Sequence, residues 1–490
     1  MLTKFLRNLS GARGKGAGRS LAQARTVLAA GRYQQALEIA LEVAAREPGS
    51  AEARAVAGRC RMAIARGRHA EAVRARACPP DSGALYAEAV EDFAAEARLS
   101  AQPCAAIGRE AAALRESGRL DASRALLREY GTRADCADAT GLQLECALGL
   151  LCAGQSAEAR ALYLQLLARE PENARLHAAY ALALLGDGEF ARGWDEYEWR
   201  LASAPRVAAL APDAPLWSGE PIAGRRLVVE AEQGLGDQIM FASCLPDLQQ
   251  AGASLAVEVS PRLVALFRHS FPGIAVLPKG AGSDALPWRA DFRIPCGSLP
   301  RWLRRRAEDF PDRPAYLDAP PELVAEYRDR LAALGPGPKI GIAWRGGLPE
   351  TLGALRSVRL AALASITSLP GMHCVSLEFA DCREEIAAAG LAGRVAWWDE
   401  ATLDMARFAA LVTALDGVVS VATTAVHLAG ALGRPVWALV SRAGTWRYLW
   451  QGARMPWYPR VEVLRPAGPE DWVRCADAVA KSLCARHGLG

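Results

Sequence analysis

Among twelve cysteines the sequence has no C-x-x-C pair, which removes the usual frame of a zinc ribbon or a thioredoxin-like dithiol. Scattered thiols without such a frame suit a reduced compartment, so a cytoplasmic protein is expected. The start has no continuous apolar core before a small-residue cleavage site, and no signal peptide is expected. Long apolar runs are missing as well. Gly417 to Gly433 is seventeen residues without a formal charge, but its three glycines, two threonines, serine and histidine suit a buried strand and helix better than a membrane span. No stable membrane insertion is therefore expected. Acidic residues are absent from the first nineteen positions, which hold Lys4, Arg7, Arg13, Lys15 and Arg19. These five bases exceed the net charge of +4 and leave about −1 over the remainder. A nucleic-acid partner would call for a basic face in the folded part, so none is expected. Residues 1–20 read as a basic flexible tail.

What is present is a long chain, 490 residues with 51% hydrophobic composition, enough for three or four units that each bury a core. Residues 21–205 are rich in Ala, Leu, Glu and Arg at helical spacing. Turn signals recur at Gly31, Gly67, Gly118, Gly154 and Gly188, at intervals of 36, 51, 36 and 34 residues. Pro48 and Pro171 close two units in the same phrase, Ala-Arg-Glu-Pro. A period near thirty-four predicts tetratricopeptide-like helix pairs stacked as an α-solenoid, whose groove suits a protein partner. The long interval between Gly67 and Gly118 predicts one irregular unit. Phe190 to Arg200, with two tryptophans and a tyrosine, reads as the end of the solenoid docked on another domain.

Beyond a Pro- and Ala-rich connector, strands and helices alternate. Residues 206–335 predict strands at Arg226–Ala231, Ser254–Val259, Ile274–Leu277 and Phe292–Ile294. After the break at Gly335-Pro-Gly-Pro338, residues 336–490 predict strands at Lys339–Trp344, His373–Leu377, Arg394–Trp397, Val418–Val421 and Val436–Val440, with helices from Asp471 onward. The fold class is thus α plus α/β, with two doubly wound subdomains facing one cleft.

Ligands of open parallel sheets bind beyond the carboxyl ends of the strands. In the second subdomain those ends carry Arg345, Gly346 and Gly347, then Glu378, then Thr423 and Thr424, then Trp446 and Arg447. Arg345 and Arg447 suit phosphate oxygens, the glycines permit close approach of backbone, and Trp446 suits a ring. Thr423 and Thr424 begin a helix whose outward amides of Ala425, Val426 and His427 suit an anion. A Thr-capped buried helix of any α/β protein would look the same. In the first subdomain the turn Gly234-Leu-Gly236-Asp237, followed by Gln238, sets a carboxylate at a helix start, where it acts as a general base or simply as a cap. Glu230 and Glu232 are weaker candidates.

The segments EQGLGDQIMFA, GIAWRGG, LRSVRL, VHLAGALGRPVW and TWRYLW together carry a resemblance. Residues 233–242 and 420–437 resemble the bacterial heptosyltransferase-like glycosyltransferases of family 9. Residues 21–466 as a whole resemble bacterial proteins that fuse tetratricopeptide repeats to a GT-B module, an arrangement similar to that of O-linked N-acetylglucosamine transferases. The resemblance implies a metal-independent enzyme that uses a nucleotide-activated sugar with no cofactor, and on physical grounds an inverting displacement is expected. It implies that Asp237 is the base, that Thr423, Thr424 and His427 belong to the diphosphate segment, and that Arg345, with Arg356 from the following loop, stands near the leaving phosphates. His427 also reads as a purely structural helix residue. One departure is Ala422, where related chains often carry Asp or another polar residue. By analogy of fold, the acceptor is Ser or Thr of a protein held by the repeats, such as a flagellin. A transferase for envelope glycan or lipopolysaccharide, or a silent repeat scaffold, are the competing readings.

Overall fold

The computed structural model describes residues 20–77, 81–203, 209–347, 353–441, 445–468 and 471–489. The basic tail at 1–19 and part of the connector at 204–208 lie outside the described residues. Two compact units are present, residues 1–69 with 80–142, and residues 70–79 with 143–490. No helix among the described residues is long and apolar enough to cross a membrane.

The first unit is built of antiparallel helix pairs. Leu21–Ala29 pairs with Tyr33–Arg46, and Cys104–Glu116 with Leu120–Tyr130. Alanines let these helices approach closely, and Ala36, Ile39, Ala40 and Val43 form a sealed seam with Ala53, Val56 and Ala57. Gly31 and Gly118 stand between the helices of a pair at φ +73° and +85°, a region that glycine enters without steric penalty. Gly154 and Gly188 do the same in the second unit. Gly67 does not. It lies inside the continuous helix Ala51–Arg74, so the expected turn there is corrected to a mid-helix glycine, and the irregular repeat is the one with this long helix. Buried Arg61 is held by Asp92 and by Glu88 at 2.8 Å, and Arg66 by Glu116 at 2.6 Å. The expectation of unpaired thiols is also corrected: Cys104 and Cys136 form a disulfide that ties the start of one helix to the 3-10 turn Ala134–Cys136.

In the second unit the pairs continue with Ser156–Arg169, Ala174–Gly186 and Phe190–Tyr197, and then two parallel sheets follow. The first has the order β3-β2-β1-β4, from β1 (Arg226–Glu230), β2 (Ser254–Val259), β3 (Ala275–Pro278) and β4 (Phe292–Pro295). Leu227, Val229, Leu255 and Val257 face the helices. Val228, Ala256 and Leu277 face away, against Leu210, Ala211, Ala214, Leu286 and Trp288. The crossover from β3 to β4 thus covers the second face with loop and one 3-10 turn, Ser283–Ala285, rather than with a helix.

The second sheet runs β10-β11-β9-β8-β5-β6-β7. Its members are β5 (Lys339–Ala343), β6 (His373–Ser376), β7 (Val395–Ala396), β8 (Gly417–Val421), β9 (Val436–Leu439), β10 (Arg454–Met455) and β11 (Tyr458–Leu464). All pairings are parallel except that of β10 with β11. Alternate residues go to opposite faces. Ile340, Ile342, Val419, Val421 and Leu439 meet the final helix Trp472–His487, whereas Val418, Val436 and Ala438 meet Met405–Ala414 and Thr424–Ala431. The second unit thus carries two parallel α/β lobes of the GT-B kind, and the expectation of two doubly wound sheets is corrected for the first lobe, which has helices on one face and loop on the other. β10 and β11 were not expected from the sequence, and β7 is two residues rather than four.

Candidate active site

The turn after β1 is short and bent. Gln233 has φ +60°, and Gly234 caps the helix Leu235–Phe241 with Asp237 in its first turn. An acid there faces the positive helix end. In the other lobe β8 ends at Val421, and Thr423 caps the helix Thr424–Ala431 through an Oγ1 that accepts from Ala425 N at 3.3 Å. Val426 N donates to Thr423 O at 3.2 Å. Two of the three amides expected to point outward are therefore already used by Thr423.

The two helix starts meet. A Cβ built on Gly236 would stand 2.9 Å from Cδ2 of His427, so the absence of a side chain at 236 is what lets the helices close. Arg447, in the 3-10 turn Trp446–Tyr448 after β9, donates from Nε to Oδ1 of Asp237 at 2.6 Å. Asp237 and Arg447 are each mostly buried. Arg356 donates from Nη1 to the carbonyl of Ala422 at 3.0 Å, and burial pulls its pKa down while Asp237 opposes that shift. Near one carboxylate there are thus two guanidinium groups, and His427 adds no charge. Its Nδ1 lies 3.1 Å from the Tyr458 hydroxyl, and burial lowers its pKa to about 4. Arg447 and Arg356 thus stand beside the Asp237 carboxylate at the meeting of the two helix starts.

Other expected residues serve the scaffold. Gly346 donates its N–H to Ser357 at 2.8 Å, and a Cβ there would meet Gly353 O at 2.6 Å, so this glycine brings the Arg356 turn close to β5. Arg345, expected at phosphate, is instead ion-paired with Glu385. Glu378, expected in the cleft, is turned inward: its Oε1 accepts from the amides of Trp344 at 2.7 Å and Arg345 at 3.0 Å, and burial raises its pKa. Gln238 is buried, and its Oε1 accepts from Ser260 N at 2.8 Å, fixing the end of β2. Trp446, expected over a ligand ring, is 4% exposed and packs edge-on against Trp194 at 5.4 Å between ring centroids. It belongs to the core because Trp194 arrives from the last repeat helix and fills the space in front of it. The Glu232 carboxylate is bound by Arg200 at 3.0 Å, and Glu230 by Arg293 at 3.1 Å.

Residues that sequence reasoning missed are Tyr197, Tyr316 and Gln233. Tyr316 donates to Ile239 O at 2.8 Å and lies 3.4 Å from the Tyr458 hydroxyl, so the ring behind His427 is anchored to the first lobe. The signal available for Gln233 was its place beside Gly234, where a turn needs a left-handed residue.

No family model matches the chain. The chain is similar to Protein FlbA of Caulobacter vibrioides. The two are 35% identical over 315 residues, which is 59% of this chain and 52% of the relative, so the chain spans about half the length of the curated relative that it matches. Among solved structures it is similar to a family 9 glycosyl transferase from Veillonella parvula, with 13% identity, 50% of this chain and 87% of that one covered, and a TM-score of 0.39. It is also similar to ADP-heptose lipopolysaccharide heptosyltransferase II of E. coli, with 15% identity, 52% and 99% covered, and a TM-score of 0.39. An O-GlcNAc transferase from Thermobaculum terrenum matches over 95% of this chain and 90% of its own, with 13% identity and a TM-score of 0.29.

Proposed function

We propose that this chain is a glycosyltransferase that moves a sugar from a nucleotide-diphosphate donor to a hydroxyl acceptor. The observation that carries the reading is the contact of Asp237 in one lobe with Arg447 in the other, beside the helix start at Thr424 and next to Arg356. A carboxylate and two guanidinium groups share one interlobe site, the groups that a base and a leaving diphosphate require.

In the displacement, Arg447 exchanges Asp237 for the donor diphosphate, and the freed carboxylate takes the proton of the acceptor hydroxyl. The acceptor oxygen forms its bond to the anomeric carbon on the face opposite the breaking bond to the phosphate oxygen, which inverts that centre. The nucleoside diphosphate leaves with the electron pair, and its charge falls on Arg356 and Arg447. Fixed cations in this place make a divalent metal unnecessary, and no cofactor is invoked. The helix pairs of Ser156–Tyr197 that adjoin the lobes support a protein acceptor, and Ser or Thr of a protein such as a flagellin is proposed by analogy of fold.

A donor screen that follows release of free nucleotide tests the reading, first without and then with a surface-protein acceptor. Asp237→Asn is expected to lower turnover by about 10²-fold or more while donor affinity stays. Near-normal turnover of this variant removes Asp237 from the mechanism.

A further inference from the structure

Both turns that carry the Asp237–Arg447 pair contain a non-glycine residue in the left-handed region. Gln233 at φ +60° precedes the Gly234–Asp237 turn, and Leu449 at φ +60° follows the Trp446–Tyr448 turn. Such conformations are strained and persist only where neighbours fix them. Glu232 and Gln238 hold Gln233 from within its own turn, and Arg465 donates to the carbonyls of Tyr448 and Leu449, but in both cases a further hold comes from the last two repeat helices. Gln233 Nε2 donates to the Tyr197 hydroxyl at 2.6 Å, and Tyr197 is buried at the end of Phe190–Tyr197, its ring 5.8 Å from that of Trp446. Beyond Leu449, Trp450 donates its N–H to Gly186 O at 2.8 Å and its Nε1 to Ala183 O at 3.1 Å, both on Ala174–Gly186. Gly186 admits the Trp450 ring against the helix, where a Cβ would collide with it.

We propose that the last repeat, Ala174–Tyr197, is a positioning element of the site, with Tyr197 holding the turn that aims Asp237 and Trp450 holding the turn that aims Arg447. This rests on the glycosyltransferase reading only for its effect on turnover. Movement of this one helix pair shifts both members of the pair together, so whatever the repeat binds bears on the geometry of the site.

The test uses the full chain with Tyr197→Phe and Trp450→Phe, each of which keeps an aromatic ring and removes one hydrogen bond. In hydrogen exchange, Tyr197→Phe is expected to speed the amides of residues 234–238 by about ten-fold, and Trp450→Phe those of 446–450, while the strands are unchanged. With donor and acceptor in hand, Tyr197→Phe is expected to lower kcat by about ten-fold with the donor KM within about two-fold. Glycine takes a positive φ without strain, so in a Gln233→Gly background Tyr197→Phe is expected to change kcat by less than about two-fold. Unchanged exchange at 234–238, or an equal loss of kcat in both backgrounds, overturns the proposal. A wild-type chain that releases no nucleotide from any sugar donor sinks the functional reading instead, and the exchange arm still decides the positioning role.

Discussion

Gly236 lies against the ring of His427 so closely that an added Cβ would stand 2.9 Å from Cδ2. His427 cannot retreat, because its Nδ1 is joined to Tyr458 and Tyr458 to Tyr316. Gly236→Ala is therefore expected to push the two helix starts apart, at a cost of about 1–3 kcal/mol and a clear loss of turnover. Thermal melting and nucleotide release measure both, and wild-type values in both would show that the helices give way freely.

Arg447→Gln leaves the Asp237 carboxylate in a mostly buried place without its guanidinium partner. The expected destabilisation is about 3 kcal/mol, and adding Asp237→Asn should restore part of it. Urea unfolding of the two single variants and the double variant checks this. Additive effects would mean that the pair does not couple the lobes.

His427 gives the fold a pH dependence whose sign is fixed. Its pKa falls from 6.5 in the unfolded chain to about 4 in the folded one, so between these values the unfolded state binds the extra proton. Stability from this residue is complete above pH 6.5 and is lost as pH drops toward 4, in all roughly 3 kcal/mol. Melting temperatures at pH 7.5 and 5 should differ less in His427→Asn than in wild type, and an equal difference would place the titration elsewhere.

Gly186→Ala sets a methyl group where the Trp450 ring lies on the helix. The ring must leave, taking with it the Nε1 bond to Ala183 O. A loss of about 1–3 kcal/mol is expected, together with a shift of tryptophan fluorescence. Unaltered melting and emission would show that Trp450 finds an equivalent seat.

Strands β1, β2, β5, β8 and β9 were legible because short apolar runs such as Leu227–Val229 and Val418–Val421 stand between turn residues. β11 was not, because Tyr458–Leu464 holds a proline, an arginine and a glutamate, and only pairing beside β9 makes it a strand. Gly67 was misread since one glycine costs a helix only about 1 kcal/mol, less than the packing of a long helix returns. For the site, the meeting of Asp237 with the Thr424 helix was readable from strand ends. The partners of Arg345 and Trp446 were not, because Glu385 and Trp194 reach them through the tertiary fold alone. The pairing of Cys104 with Cys136 spans 32 positions and has no motif.

The ring cluster of Trp194, Phe241, Phe310, Trp446 and Trp457 joins a repeat helix to both lobes. A shortened gene that begins at residue 206, the border drawn from sequence, would delete Trp194 and Tyr197 and leave the remaining rings facing water. The product should aggregate on expression, whereas one that begins near residue 143 keeps the cluster whole. For crystallisation or directed evolution of the catalytic part alone, a useful fragment therefore carries at least the helical hairpin Ala174–Tyr197, which at first looks dispensable.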